Sequence, residues 1–102
     1  MTKNEKREHG DVLYEAILTL KDLEECKKFF SDLCTVAELR AMEQRFEVAM
    51  LLSDGMIYND ILERTGASSA TISRVNRSLQ YGADGYQAEL QRIKEKLGGD
   101  GI

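Results

Sequence analysis

The sequence predicts an all-α fold of about six helices, two of which form a helix-turn-helix. Apolar residues recur at helical spacing, no segment alternates at period two, and proline is absent, so that glycines separate the helical segments. A chain of 102 residues has the usual size of one domain. We therefore expect a single domain over 1–102, with a flexible arm at 1–10 and a flexible tail at 98–102.

Two short helices are predicted in the first third of the chain. The first starts at Asp11 and lines one face with apolar residues at i, i+3, i+4 and i+7 spacing. These residues are Leu13, Ala16, Ile17 and Leu20. Asp22 and Glu25 have the spacing of a capping box and begin the second helix. Its apolar stripe consists of Cys26, Phe29, Phe30 and Leu33.

A longer third helix follows a second capping box, formed by Thr35 and Glu38. One of its faces is apolar, at Leu39, Met42, Phe46, Ala49 and Met50. Further apolar side chains lie elsewhere around it, at Val48, Leu51 and Leu52. A helix that is apolar on several sides must be covered on several sides, by its own chain or by a second copy.

The predicted helix-turn-helix runs from about Tyr58 to Tyr81. Its first helix ends at Gly66, which can adopt the positive φ that a tight turn requires. Ser68 or Ser69 can cap the second helix. Ile61 in the first helix, with Ile72 and Val75 in the second, is expected to fill the angle between the two. Asp84 is predicted to cap a last helix, whose apolar stripe is Tyr86, Leu90, Ile93 and Leu97.

The second helix of this unit carries a polar, basic face. At about 100° per residue, Ile72, Val75 and Leu79 cluster on one side. The opposite side holds Ala70, Ser73, Arg74, Arg77 and Tyr81. Small residues let a helix approach the floor of the major groove, and arginines pair with guanine edges or phosphates. This face predicts binding to duplex DNA.

The distribution of charge is consistent with a local anion site. The net charge of −4 argues against an unstructured polybasic binder, because affinity for DNA depends on neutralising phosphates. Residues 56–81, however, hold three arginines against two acidic side chains, whereas residues 1–52 hold eight basic and eleven acidic side chains. A helix-glycine-helix corner also occurs in plain bundles, with solvated arginines. That alternative stays open.

Other classes of function lack candidate residues. The one histidine, His9, falls in the predicted arm, and no nucleophile–base pair or glycine-rich phosphate loop occurs, so we expect no enzyme and no cofactor. Cys26 and Cys34 form no CxxC pair, which argues against a zinc site. The apolar run 48–52 is too short to span a bilayer and the N-terminus is charged, so a cytoplasmic location is expected.

The run 66–74 (GASSATISR), followed by 76–79 (NRSL), resembles the reading region of the Trp repressor superfamily, and within it the YerC/YecD branch. The likeness extends over about 33–79 and includes the leucine pair at 51–52. It implies an intertwined all-helical homodimer, in which the first three helices and the last helix of both chains build a shared core. The helix-turn-helix of each chain, from about Tyr58 to Tyr81, would project from that core as a reading head.

The resemblance also implies positions of DNA contact. Residues at the start of the second helix of the reading head touch bases in this superfamily, and two positions of the first helix, Asn59 and Leu62, approach the DNA. A basic residue would suit phosphate better than Leu62 does. With the arginines of the outer face, the predicted DNA-binding residues are Asn59, Ser69, Ala70, Thr71, Ser73, Arg74 and Arg77.

A candidate effector pocket is implied by the same likeness, because the Trp repressor itself binds L-tryptophan. Gln44 stands where that pocket has a second arginine, Cys34 where it has a threonine-type contact, and Val75 where a glycine lies beside the indole. Loss of a guanidinium removes a planar partner for a carboxylate, although Arg45 could partly substitute, so tryptophan is not expected as the ligand. The candidate pocket consists of Cys34, Gln44, Arg45, Thr71, Arg74 and Ser78.

We therefore expect a homodimeric, sequence-specific regulator of transcription that acts as a repressor on double-stranded DNA. A small-molecule effector is a candidate partner, and no membrane association is expected. The alternative is a helical protein-interaction module that dimerises without engaging DNA, a reading that the negative net charge favours.

Overall fold

The computed structural model describes residues 8–98, which form six helices and no strand, so the all-α prediction is confirmed. The helices are α1 (His9–Leu18), α2 (Leu23–Leu33), α3 (Val36–Ser53), α4 (Tyr58–Thr65), α5 (Ser69–Tyr81) and α6 (Gly85–Lys96). Within 8–98, no helix combines the length and apolar composition needed to cross a bilayer. The chain divides into two compact units between Leu39 and Arg40, a boundary that falls within α3.

The first unit is organised by its helix caps. The Asp22 carboxylate accepts from the Glu25 N–H at 2.8 Å, and the Thr35 hydroxyl accepts from the Glu38 N–H at 3.1 Å, as the two capping-box spacings predict. The rings of Phe29 and Phe30 pack edge to face with centroids 5.4 Å apart. No residue of α1 or α2 is buried within this chain.

The start of α1 differs from the sequence expectation. The helix begins at His9, two residues before Asp11, so His9 and Gly10 lie in its first turn rather than in the predicted arm. The Asp11 N–H donates to the Glu8 carbonyl at 3.0 Å, which closes this turn without a side-chain cap. The rest of the predicted arm, 1–7, and residues 99–102 of the predicted tail lie outside the described residues.

The second unit contains the buried core of the described chain. Burial at Ile61, Ile72 and Val75 confirms the prediction that these side chains fill the angle of the helix-turn-helix. They pack with residues from α3, the turn, α5 and α6, namely Val48, Ala49, Ala67, Leu79 and Leu90. The unit is therefore built around the helix-turn-helix, with α3 and α6 supplying the rest of its core.

Polar contacts of Gln87 and Lys94 attach α6 to the rest of this unit. The Gln87 amide donates to the Leu79 carbonyl at 3.0 Å, and the Lys94 ammonium lies 2.9 Å from the Asp54 carboxylate. The predicted side-chain cap at Asp84 is wrong. Asp84 adopts a left-handed conformation with φ 70° and its side chain makes no capping bond. Aspartate is among the few residues that tolerate this region.

Candidate nucleic-acid interface

The turn between α4 and α5 is set by local hydrogen bonds around Gly66. Gly66 has φ 73°, and its N–H donates to the Leu62 carbonyl at 2.9 Å, which ends α4 with a left-handed residue as predicted. The Thr65 hydroxyl donates to the Ile61 carbonyl at 2.7 Å and accepts from the Ala67 N–H at 3.1 Å. Ser68 then caps α5 by accepting from the Thr71 N–H at 3.1 Å.

The inner side of α5 is fixed by burial. Ile72, Val75 and Leu79 recur at three- and four-residue spacing and join one hydrophobic cluster with Val48 and Ala49 of α3. Because these positions cannot rotate outward without exposing the core, the opposite side of α5 has a fixed orientation. That side is the polar, basic face described above.

The outer face of α5 presents small and basic side chains together. A shallow open depression on this face is lined by Ala70, Ser73, Arg74 and Arg77, four of the predicted DNA-binding residues. All four are exposed. No residue of α5 is acidic, and neither guanidinium forms an ion pair within residues 8–98. Both arginines are thus free to approach an anion.

The remaining predicted DNA-binding residues lie at the starts of the two helices. Ser69 is the first residue of α5 and Asn59 the second of α4, and both are exposed. Thr71 is half-buried, and its hydroxyl accepts from the Ser68 hydroxyl at 3.0 Å. Leu62 is also exposed on α4. The structure brings these positions to the reading head, and their contact with DNA stays a prediction.

The candidate effector residues belong to both units, Cys34 to the first and the other five to the second. Arg74 lines the outer depression, whereas the Gln44 amide donates to the Thr65 carbonyl at 3.2 Å. Val75 is 2% exposed and belongs to the core, as expected for a side chain that fills space. Arg45 and Ser78 are exposed, and Cys34 is half-buried in the first unit. An effector pocket stays a prediction.

Thr65 is the residue of this site that the sequence analysis missed. It combines a helix-ending position with three hydrogen bonds, to Ile61, Ala67 and Gln44. A hydroxyl residue directly before the turn glycine is the local signal that could have indicated it. The partner on α3 could not be inferred, because a pairing across 21 residues depends on tertiary packing.

A second depression lies on α4, lined by Met56, Asp60, Glu63 and Arg64. Its charges are mixed, so it does not favour an anion as the outer face of α5 does. Among residues 8–98, no cluster of three or more His, Cys, Asp or Glu side chains is placed to hold a metal ion.

Comparison with known proteins identifies relatives over nearly the whole chain. The family described as Trp repressor protein matches residues 8–94. The uncharacterized protein YerC of Bacillus subtilis strain 168 is 55% identical over 85 residues, which span 83% of this chain and 82% of YerC.

Two solved structures share the fold. A TrpR-like protein from Eubacterium eligens aligns with a TM-score of 0.79 and 52% identity, covering 94% of this chain and 95% of the other. A proposed Trp repressor from Staphylococcus aureus aligns with a TM-score of 0.80 and 43% identity, covering 100% and 99% of the two chains.

Proposed function

Because the chain belongs to the Trp repressor family, we propose that it is a transcriptional regulator that binds duplex DNA as a homodimer. The two reading helices would enter successive major grooves about 34 Å apart, one helical turn of DNA. The observation that carries this proposal is the outer face of α5, where Arg74 and Arg77 lie beside Ala70 and Ser73 and form no ion pair with any other residue of 8–98.

The order of residues along α5 suits entry into a groove. Ser69, Ala70 and Ser73 are small and lie in the first turns, where bulk would keep the helix away from base edges. Arg74 and Arg77 are long enough to reach guanine edges or phosphates. Cations without a carboxylate partner lose no existing ion pair when they bind phosphate. The face therefore combines shape and charge for duplex DNA.

The first unit supports the homodimer. It leaves large apolar side chains exposed within one chain: Val12, Leu13, Tyr14, Leu18, Leu23, Leu33 and Val36. A soluble monomer rarely exposes this much apolar surface, and a second copy is the partner that the shared-core arrangement of the family suggests. Two copies would also supply the two reading heads that a symmetric operator requires.

We assign the direction of regulation as repression, in the cytoplasm where the chromosome of a bacterial relative is found. A dimer seated across two grooves blocks access of other proteins to the same DNA. A reporter whose promoter overlaps the selected site tests this assignment: expression falls when the protein is supplied. An increase in expression would show activation instead.

Selection from a random duplex library tests the main proposal. We expect enrichment of a motif with two-fold symmetry, and affinity for the selected site should fall at least tenfold in the Arg74→Ala/Arg77→Ala variant, since each base or phosphate contact contributes about 1–3 kcal/mol. Salt concentration is held fixed in every titration, because phosphate contacts are salt-dependent. Running the titration with and without carboxylated metabolites also tests for an effector, which would change the affinity.

Arg92→Ala is the matched control, because Arg92 lies on α6 and pairs with Glu89. It removes one positive charge, as each of the two substitutions in the double variant does, and should leave DNA affinity within about twofold, as expected for an exposed ion pair away from the interface. Wild-type affinity in the double variant would contradict the assigned face. Absence of any enriched motif across salt concentrations would favour the alternative, a protein-interaction module that dimerises without DNA.

A further inference from the structure

We propose that Gln44 is a positioning residue for the reading helix α5, a role that rests on the proposed function. Gln44 lies in α3 and is half-buried, and its Nε2 donates to the Thr65 carbonyl at 3.2 Å. This bond joins the core helix α3 to the turn of the helix-turn-helix. It therefore fixes the end of α4, and with it the turn, relative to α3.

The chemistry of the turn explains why a donor is needed at residue 44. Thr65 is the last residue of α4, and the final carbonyls of a helix have no partner within that helix. A carbonyl oxygen only accepts, so the amide nitrogen of Gln44 must face it. Near a partly buried turn, loss of this donor would leave the carbonyl unsatisfied.

Thr65 connects the Gln44 bond to the start of α5. Its hydroxyl accepts from the Ala67 N–H at 3.1 Å, and Ala67 is buried against the core. Ser68 follows directly and caps α5 through the Thr71 N–H. A chain of hydrogen bonds and adjacent residues thus leads from Gln44 to the first turn of α5.

The first turn of α5 is the part of the reading head with the tightest steric demand, since Ser69 and Ala70 would lie nearest the base edges. A displacement there weakens base contacts, which need fixed geometry, more than phosphate attraction by arginines, which tolerates small shifts. Loss of the Gln44 bond should consequently lower sequence-specific affinity while leaving non-specific affinity intact. A general loss of stability would lower both affinities, so a change in the specific affinity alone distinguishes positioning from it.

The test compares the affinity of the full-length chain for its selected duplex with that for a scrambled duplex. Gln44→Met keeps the length of the side chain and removes the donor. We expect the ratio of the two affinities to fall about fivefold to tenfold, in line with the net worth of one hydrogen bond. Titrations are run well below the melting temperature of each variant, which is measured separately.

Gln44→Glu provides a second variant, because it keeps the shape but places a carboxylate against the Thr65 carbonyl. The ratio of the affinities for the selected and the scrambled duplex should fall in Gln44→Glu at least as far as in Gln44→Met. If Gln44 served packing alone, Gln44→Glu would keep this ratio near the wild-type value. Gln91→Met and Gln91→Glu are the controls, since Gln91 is exposed on α6. Amide exchange at Ala67 and Thr71 in the free protein should accelerate in the Gln44 variants alone.

The outcomes separate the two proposals. If the wild type selects a sequence and both Gln44 variants keep the ratio within about twofold, the role of Gln44 is overturned and the proposed function stands. If the wild type selects no sequence, the proposed function is overturned and the positioning role with it. Faster exchange without a change in the ratio would also overturn the positioning role.

Discussion

Single side chains at helix starts supply much of the local order of the first unit. Thr35 and Glu38 form a reciprocal pair: the Glu38 N–H donates to the Thr35 hydroxyl, and the Thr35 N–H donates to Glu38 Oε1 at 2.8 Å. Asp22 and Glu25 form a similar pair with one difference. Glu25 Oε1 accepts from the Lys21 N–H at 3.1 Å, one residue before the capping residue Asp22, rather than from the N–H of the capping residue itself. Each pair satisfies backbone donors that a helix start leaves open.

The charged form of Glu38 is favoured by this arrangement. The Thr35 backbone N–H, and after it the Thr35 side chain, hold the pKa of Glu38 below its usual value of 4.5. A lowered pKa in the folded state means that the contribution of Glu38 to stability is complete above the unfolded pKa. This contribution is lost as pH falls through the folded pKa.

We predict that Thr35→Val raises the pKa of Glu38 only part of the way toward 4.5, because the backbone N–H, the larger cause, remains. Titration of the Glu38 carboxyl carbon by NMR in both proteins measures the change. In Glu38→Gln, the acid-dependent loss of α3 helicity that this residue causes should disappear. An unchanged Glu38 pKa in Thr35→Val would show that the hydroxyl has no part in the effect.

Local spacing predicted the residues whose roles depend on backbone geometry. Gly66 was predictable because a tight turn after α4 needs positive φ, and Ile72 and Val75 were predictable because helical spacing places them together. The bond from Gln44 to Thr65 was not predictable from spacing, because nothing local identifies which polar side chain of α3 meets the turn. Resemblance had suggested a different role for Gln44, in an effector pocket.

At the scale of helices, three ends are shaped by glycine in different ways. Gly55 ends α3 with φ 87°, and the Met56 N–H donates to the Leu51 carbonyl at 3.0 Å, the hydrogen-bond pattern of a Schellman motif. Gly66 ends α4 with a left-handed residue. Gly82 follows α5 with negative φ, and it is needed there for space. A Cβ added at this position would lie 2.3 Å from the Ser78 carbonyl oxygen, which is closer than such atoms can approach.

Gly82→Ala should therefore destabilise the protein. The added carbon meets backbone rather than a flexible side chain, so the end of α5 must shift, at a cost of about 1–3 kcal/mol by analogy with overpacked cores. Urea denaturation at fixed protein concentration measures the free energy of unfolding. A value equal to that of the wild type would show that the chain relaxes there without strain.

Gly85→Ala is the matched control for this prediction, because a Cβ at Gly85 has no atom within 4 Å. Gly85 is the first residue of α6, where alanine is the better helix former, so this variant should be as stable as the wild type or slightly more stable. The contrast between the two glycines separates steric contact from a general effect of losing glycine.

Helix starts were predicted unevenly, and the reason is physical. Asp22, Thr35 and Ser68 act as the caps that their side chains allow. Asp84 has the right residue type, yet its side chain makes no capping bond, because its backbone is left-handed rather than extended as a capping residue usually is. The early start of α1 at His9 has no side-chain cap that could have signalled it.

At the scale of the whole molecule, burial is divided unequally between the two units. Every buried hydrophobic residue of the described chain lies in the second unit, from Val48 to Leu90. The first unit contributes apolar residues at helical spacing but buries none of them within one chain. The spacing predicted that these residues share helix faces; it could not identify what covers them, because spacing along a helix carries no information about the surface packed against it.

If a second copy covers this surface, Leu18→Glu should yield monomers. Leu18 is 79% exposed within one chain, so a substitution there has little effect on a monomer but places a charge in an apolar dimer interface. Sedimentation velocity should show a dimer for the wild type and a shift to monomer for the variant. With one reading head instead of two, affinity for a symmetric operator should fall by about a hundredfold or more.

Ser31→Glu tests whether an added negative charge alone causes dissociation of the dimer and loss of operator affinity. Ser31 is an exposed polar residue of α2, and the substitution adds the same charge as Leu18→Glu. It should stay dimeric and keep its affinity for the operator. A wild-type monomer at micromolar concentration would contradict the homodimer. If Leu18→Glu stayed dimeric, the interface would lie on other apolar residues of the first unit or elsewhere. If it became monomeric and kept full affinity, DNA binding would not need two heads, and the symmetric two-groove arrangement would be wrong.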